Sequence, residues 1–171
     1  MSSNQQLDMS GFEGEWEMDP EKSLIWDKDQ SKWVPEWVQA QHMTLRHDGD
    51  TQIYTVRIGL ADDLAVHMGY ESTFGDPTWV PYSLWEIEGD PNHDLLKPND
   101  LLKSGMVLKE PIAWVVQTYV DPRTHYRITK NLDGTAQYSM SRRLSEDGQT
   151  VLSVVTLPDG TPSVAKSFVR A

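Results

Sequence analysis

The stretch that decides the fold is the last third of the chain, residues 124–170, which read THYRITKNLDGTAQYSMSRRLSEDGQTVLSVVTLPDGTPSVAKSFVR. Runs that alternate large apolar and small polar side chains are separated here by Asp133-Gly134, Asp147-Gly148 and Asp159-Gly160. An Asp-Gly pair between two alternating runs is a strong short-range signal of a β-hairpin. An earlier pair, Asp48-Gly49, stands in the same context. Hairpin following hairpin predicts an antiparallel meander.

The same pattern, followed along the whole chain, predicts an all-β protein. The predicted strands are residues 11–18, 38–47, 51–59, 64–72, 79–88, 112–120, 124–130, 135–144, 150–157 and 163–170. Closure is favoured for so many short strands, because a closed barrel leaves no free edge. We therefore predict an antiparallel meander closed into a barrel of about 8–10 strands, which has room for one small ligand. A two-sheet sandwich stays open as the alternative.

Two segments lack a clear period and are predicted to be long loops, residues 21–36 and 89–109. A loop of this length inside a compact domain is usually functional or mobile. The polar residues 1–10 are predicted to form a flexible leader, and residues 11–171 a single β-barrel domain.

The bulk composition argues against several classes of function. A formal net charge of −11 opposes binding to nucleic acid or to anionic membranes. No apolar run approaches the ~18 residues of a membrane span, and the polar N-terminus does not resemble a signal peptide, so we expect a cytoplasmic protein. The chain has no cysteine and five dispersed histidines, and it lacks a glycine-rich phosphate loop. We therefore expect neither a metal nor a cofactor.

The early tryptophan cluster has three interpretations. Trp26, Trp33 and Trp37 could gate the barrel mouth, pack on their own barrel, or form the contact of a homodimer, since aromatic residues are enriched in interface cores. We favour packing on the barrel.

Turn type fixes the register of the last hairpins and so decides which side chains line the interior. Three-residue loops at 146–148 and 158–160 separate large side chains from serines most cleanly. They place the following residues inward: Tyr138, Met140, Arg142, Leu144, Leu152, Val154, Val164, Lys166 and Phe168. They place the following residues outward: Ser139, Ser141, Ser153, Ser163 and Ser167.

The remaining hairpins add aromatic residues to the predicted interior. A three-residue loop at 132–134 turns Tyr126 and Ile128 inward and leaves His125 and Arg127 outward. Tyr54 is inward if Asp48-Gly49 forms a two-residue loop. Three further strands add Tyr70, Tyr82 and Trp114 as candidate ligand contacts.

The charged candidates are the most informative members of this set. Burying Arg142 and Lys166 without partners would be prohibitive, so they must meet carboxylates, reach solvent at the mouth, or bind an anionic ligand. We expect Lys166 to extend to the rim. Glu86 is the best internal partner if it points inward with Tyr82, and His67 faces outward unless the parity of its strand is reversed.

The two ends of the chain resemble a known group of barrels. The opening Phe12-Glu13-Gly14-Glu15-Trp16 and the closing Arg170 resemble lipocalin-like and fatty-acid-binding-like (calycin-type) barrels. The resemblance implies a barrel with an internal ligand site, in which Arg170 packs on Trp16 and closes the floor. Calycin-type barrels include both passive carriers and cofactor-free enzymes.

Two functions follow, and a third interpretation stays open. The first is a cofactor-independent lyase, isomerase or cyclase that acts on a hydrophobic or aromatic substrate with an anionic group. Its candidate catalytic residues are Arg142, Tyr138, Tyr126, His67 and Glu86, and its candidate ligand-binding residues are Tyr54, Tyr70, Tyr82, Trp114 and Lys166. The alternative is a non-catalytic intracellular carrier or sensor of a similar ligand. The third is an interaction module with a solid interior.

Overall fold

The protein forms an antiparallel β-barrel in a computed structural model that describes residues 6–99 and 101–171. Its strands are β1 (Gly14–Asp27), β2 (Lys32–Pro35), β3 (Ala40–Asp48), β4 (Thr51–Ala61), β5 (Leu64–Thr73), β6 (Val80–Glu88), β7 (Pro111–Asp121), β8 (Thr124–Lys130), β9 (Ala136–Leu144), β10 (Thr150–Thr156) and β11 (Pro162–Arg170). Short 3-10 turns lie at Ser10–Phe12 and Asp94–Leu96. No helix in the described part of the chain is long and apolar enough to cross a membrane.

The strands follow one another around the barrel in chain order. From β3 to β11 each strand pairs with the next, β3 also pairs with β1, and β1 pairs with β11 to close the ring. Ten strands form the wall, and β2 extends the β3 edge of β1. The predicted all-β meander, closed into a barrel of about ten strands, is confirmed.

The first strand is longer than predicted and contains a proline. Residues 21–36 are not a loop, because β1 continues to Asp27 and pairs with β2. The ladder to β11 is interrupted between Asp19 and Leu24, so Pro20 lies where no ladder hydrogen bond is needed. Inside that interruption the Ser23 hydroxyl donates to the Asp19 carbonyl at 2.7 Å and accepts from the Ser167 amide at 3.1 Å.

The floor of the barrel is closed by its two terminal strands. Trp16 is fully buried, and the Arg170 guanidinium lies 4.3 Å from the centre of its ring. The same guanidinium donates to the carbonyls of Gly11 and Glu13 at 2.8 and 2.9 Å. The predicted contact between Trp16 and Arg170 is therefore present. Five residues of the predicted leader, 1–5, lie outside the described residues, whereas Met9 is buried in the core.

The turns agree with the sequence in three cases of four. Asp48 pairs with Thr51 across a two-residue loop, and three-residue loops lie at 132–134 and 158–160. The predicted three-residue loop at 146–148 is wrong, because the Ser145 amide bonds the Thr150 carbonyl and Gln149 joins the loop. The extra loop residue reverses which alternate side chains of β10 face the interior.

Register therefore differs from prediction on β10. Ser153 pairs with Arg142 on one side and Lys166 on the other, and its side chain faces the interior. Leu152, predicted inward, is 46% exposed on the outer wall, as the changed parity requires. The inward orientation predicted for β9 and β11 is confirmed, since Arg142 and Lys166 line the cavity.

The prediction for β8 is also wrong, for a different reason. The loop at 132–134 has the expected length, but a β-bulge shifts the ladder between Thr129 and Lys130 by one residue. Arg127 and His125 are consequently buried, whereas Tyr126 is 40% exposed outside the barrel.

The long segment between β6 and β7 covers one end of the barrel, and we call its described residues, 89–99 and 101–110, the mouth loop. Leu96, a residue of this loop, is buried, and the Met106 amide donates to the Leu96 carbonyl at 2.8 Å. The Gln137 side chain donates to the Leu101 carbonyl at 2.6 Å and ties the loop to β9. Its prediction as a loop is confirmed.

Candidate functional site

The interior holds a cavity of about 600 Å³ between the barrel wall and the mouth loop. Its lining includes Trp37 and Val38, which precede β3, and Leu95 and Leu102 of the mouth loop. Apolar side chains of the wall include Ile58, Leu60, Met68, Ile112, Met140 and Val155. This volume suits one small organic molecule, for which protein pockets typically offer about 300–1,000 Å³.

Arg142 projects from β9 into this cavity. Only 2% of the residue is exposed, and its guanidinium carbon lies 4.6 Å from the centre of the Tyr54 ring. Its Nε and Nη1 are buried without a hydrogen-bond partner among the described residues. The predicted inward orientation of Arg142 is correct, and the charge it carries is left uncompensated.

Arg127 is a second buried guanidinium, which the sequence did not place here. It projects from β8 toward four tyrosine rings, those of Tyr54, Tyr70, Tyr82 and Tyr138, with ring centres 5.4–5.6 Å from its guanidinium carbon. One nitrogen donates to the Tyr138 hydroxyl at 2.8 Å. Its Nε and Nη1, like those of Arg142, have no partner among the described residues.

The tyrosines form the polar wall around these cations. Tyr54 and Tyr70 pair with ring centres 4.9 Å apart, and Tyr82 meets Tyr70 edge-on at 5.4 Å. The pKa of Tyr82 is well above its ordinary value, chiefly because the residue is buried and secondly because Tyr54 lies beside it. The Tyr82 hydroxyl therefore stays protonated at neutral pH and does not supply the missing negative charge. The inward orientation predicted for these three tyrosines and Tyr138 is correct.

Lys166 does not extend to the rim as predicted, because it has a partner inside. Its Nζ lies 3.3 Å from a Glu36 carboxylate oxygen and donates to Gln41 at 2.8 Å. The Glu36 side chain is itself only 3% exposed. Burial lowers the pKa of Lys166, and Glu36 opposes that change. The pair is thus internally neutralised, by an acid that lies in a segment predicted to be a loop.

Two acid–base candidates lie on the outer wall. His67 faces outward, as its strand parity predicted, and its Nε2 lies 2.8 Å from Glu88. Glu88 also accepts from Arg57 at 2.6 Å. Glu86 does not point inward with Tyr82, because a bulge between Leu84 and Glu86 reverses the alternation along β6. Neither His67 nor Glu86 reaches the cavity.

Two aromatic candidates also face outward. Trp114 lies between Ala113 and Val115, both buried inward on β7, and its side chain is on the opposite face. Tyr126 is outward because of the bulge beside β8. Neither Tyr126, predicted to be catalytic, nor Trp114, predicted to contact a ligand, is among the residues that line the cavity.

His125 lies beneath the cavity, in the core of the floor. Phe12 and Phe74 meet its ring edge-on at 4.6 and 5.4 Å, and neither ring nitrogen has a hydrogen-bond partner in the described chain. Burial, and then the charge of Arg142, hold the pKa of His125 well below its ordinary value. Among residues 6–99 and 101–171, no three His, Asp or Glu side chains come together as a metal site would require.

Known structures share the fold. A Schistosoma mansoni fatty acid binding protein in complex with arachidonic acid matches with a TM-score of 0.57 and 15% identity, over 96% of this chain and 98% of that one. A mutant of the fluorescent protein UnaG matches with a TM-score of 0.55 and 13% identity, over 94% of this chain and 96% of that one.

Comparison by sequence finds no counterpart. No protein-family model matches the chain. No curated protein matches it either. At identities this low the structural likeness concerns the fold alone, and it supports the barrel architecture that the resemblance implied.

Proposed function

We propose that this protein is a non-catalytic carrier or sensor of one small hydrophobic molecule that bears an anionic group. The observation that carries the proposal is the pair of buried guanidiniums, Arg127 and Arg142, which face the cavity without a carboxylate partner among the described residues. A buried charge is strongly unfavourable unless an opposite charge compensates it. An anion entering from solvent would provide that compensation.

The rest of the cavity supports a hydrophobic body for this ligand. Ile58, Met68 and Val155 offer it apolar surface, and Tyr138 offers a hydroxyl beside Arg127. Transfer of apolar surface out of water is worth about 25 cal/mol per Å², so the hydrocarbon part would supply affinity and the head group orientation. A fatty acid binding protein in complex with arachidonic acid has the same fold, which is consistent with a ligand of this kind.

Calorimetry with a matched ligand pair tests the proposal. The protein is unfolded, freed of any bound compound, refolded, and titrated with dodecanoate and with dodecanol, which differ only in the head. We expect dodecanoate to bind with 1:1 stoichiometry and dodecanol at least tenfold more weakly. Equal binding of the two would contradict the proposed role of the guanidiniums.

A pair of variants localises the effect. Arg142→Gln removes a cation that would lie against the ligand, and we expect dodecanoate affinity to fall by about 2–4 kcal/mol, roughly 30- to 1,000-fold. Arg143 is the next residue on β9 and is exposed on the outer face, so Arg143→Gln is the matched control and leaves affinity unchanged. An equal loss in both variants would mean that the anion binds outside the barrel.

One observation favours the enzymatic alternative, a lyase, isomerase or cyclase. Lys166 lines the cavity with a pKa that burial lowers, so a larger fraction of its amine is unprotonated at neutral pH than in a solvated lysine. Against that alternative, His67 and Glu86 lie outside the cavity, and only Arg142 and Tyr138 remain from the predicted catalytic set. Mass spectrometry of a ligand after prolonged incubation separates the two functions: a carrier returns it unchanged, whereas an enzyme returns a product.

A further inference from the structure

The cavity carries more positive charge than one carboxylate can compensate. Arg127, Arg142 and Lys166 are the cations that line it deep inside. Glu36 compensates Lys166 at 3.3 Å, and Asp94, an exposed lining residue, pairs with Lys97 at 2.5 Å. Two positive charges are therefore left without a counter-charge in the described part of the chain.

These two charges face a single region rather than opposite ends of the cavity. Arg127 and Arg142 lie on neighbouring strands, and His125, two residues before Arg127, pairs with Arg142. Both guanidiniums lie against one aromatic ring, that of Tyr54, at 5.5 and 4.6 Å. One head group placed beside Tyr54 would meet both cations.

The arginine nitrogens that lack an acceptor indicate how many oxygens the head group of the ligand should present. Four buried nitrogens have no acceptor among residues 6–99 and 101–171, the Nε and Nη1 of Arg127 and of Arg142. A carboxylate has two oxygens and one charge, which suit one guanidinium fork. A phosphate monoester presents three terminal oxygens and up to two charges, and it can accept from two guanidiniums at once.

We propose that the ligand of this cavity carries a doubly negative head group, such as a phosphate monoester, on a hydrophobic body. This inference rests on the proposed function and specifies its ligand class. The tyrosine rings around Arg127 do not replace the second charge, because a cation–π contact stabilises a cation without neutralising it.

Three ligands with the same chain test the charge of the head group. Dodecanoate and dodecyl sulfate are single anions, and dodecyl phosphate is a double anion at pH 8. Each is titrated into refolded, ligand-free protein below its micelle concentration. We expect dodecyl phosphate to bind at least tenfold more tightly than either single anion. Sulfate has as many terminal oxygens as phosphate, so the comparison isolates the second charge.

The same pair at pH 5 provides an internal control. A phosphate monoester loses its second charge below a pKa of about 6. At pH 5 the ratio of dodecyl phosphate affinity to dodecyl sulfate affinity should therefore fall to nearly one. The titratable and charged groups that face the head are the same for both ligands, and they cancel in the ratio. They are Tyr54, Tyr70, Tyr82, Tyr138, Arg127 and Arg142, with His125 and the Lys166–Glu36 pair nearby.

A single-site variant gives a second signature. In Arg142→Gln one uncompensated charge remains, so we expect the preference for phosphate over sulfate at pH 8 to disappear while both still bind. In Arg143→Gln the preference persists, because Arg143 faces solvent. The comparison of phosphate with sulfate in the natural sequence decides the matter even if Arg142→Gln does not fold.

The outcomes distinguish this inference from the function beneath it. Equal affinities for all three ligands at pH 8 would overturn the doubly negative head group and leave the anion carrier standing. A phosphate-to-sulfate ratio that stays constant from pH 8 to pH 5 would overturn it as well. Failure of all three ligands to bind would overturn both proposals.

Discussion

His125 is a buried histidine held in its neutral form. It is fully buried, lies between the rings of Phe12 and Phe74, and burial together with Arg142 lowers its pKa well below the usual range. In the unfolded chain the same imidazole binds a proton near pH 6.5. Below that pH the unfolded state therefore binds more protons than the folded state, and stability falls as pH decreases.

We predict that His125→Leu removes this pH dependence. Between pH 7.5 and 5.5 the natural protein should lose stability with a slope that reaches about 1.4 kcal/mol per pH unit at the acidic end, the effect of one proton. Leucine has no proton to bind and fills a similar volume, so the slope in the variant should be flatter. Urea unfolding at four pH values measures the difference, and parallel slopes in the two proteins would contradict the prediction.

The site residues could be predicted from sequence only where local register is regular. Arg142 and Tyr138 were placed correctly, because β9 alternates without interruption through them. Arg127 was missed, because the bulge beside Thr129 reverses the inward face of β8. A bulge has no sequence signature as strong as an Asp-Gly turn, since it depends on pairing with another strand.

At the scale of elements, β1 is the strand that the sequence misjudged most. Asp19-Pro20 resembles the end of a strand, yet β1 crosses it to reach Asp27. The crossing succeeds because the ladder to β11 is interrupted there, and Ser23 replaces part of it with its side chain. The buried hydroxyl of Ser23 thus connects β1 to β11 at Ser167.

Ser23→Ala should weaken the closure of the barrel. The change leaves the half-buried Ser167 amide without this acceptor and the Asp19 carbonyl without this donor, which costs about 1–2 kcal/mol. Chemical denaturation gives the loss in the free energy of unfolding. Ser139→Ala on the outer face of β9 serves as the control and should change stability by under about 0.5 kcal/mol. Equal effects at the two positions would show that the Ser23 bridge contributes nothing.

The strands can be predicted from the sequence where a recognisable turn separates one strand from the next. Asp-Gly pairs fix four hairpins because glycine tolerates the left-handed backbone that these turns require, as at Gly134 with φ 88° and Gly160 with φ 85°. The predicted loop at 146–148 is one residue shorter than the observed loop. Gln149 belongs to this loop, but glutamine has no turn preference that would indicate so. The sequence does not predict β2, because β2 pairs with the part of β1 that follows Pro20, where the sequence predicts a loop.

At the scale of the whole molecule, the barrel combines an acidic exterior with a cationic interior. The net charge of −11 includes two buried guanidiniums that nothing in the described chain compensates. Natural proteins keep such buried charges chiefly where function needs them, since the charge destabilises the empty protein. Stability of the free protein and affinity for an anion are therefore opposed at Arg142.

Arg142→Met should raise the stability of the ligand-free barrel and weaken its response to ligand. Methionine removes a buried charge that has no counter-charge among the described residues and fills part of the same space, a gain of roughly 2–4 kcal/mol against the about 1 kcal/mol lost with the Tyr54 contact. Thermal unfolding without ligand should move upward by about 2–4 °C per kcal/mol in a chain of this size.

Excess dodecanoate completes the test, because it should raise the melting temperature of the natural protein far more than that of the variant. Arg143→Met, on the solvent face of the same strand, should change neither the free melting temperature nor the ligand-induced shift. A variant that loses stability without ligand would mean that Arg142 supports the fold. An unchanged ligand-induced shift in Arg142→Met would mean that the anion binds elsewhere. If Arg142 serves to bind a ligand, the Arg142→Met protein should melt at a higher temperature without ligand and show a smaller increase with dodecanoate.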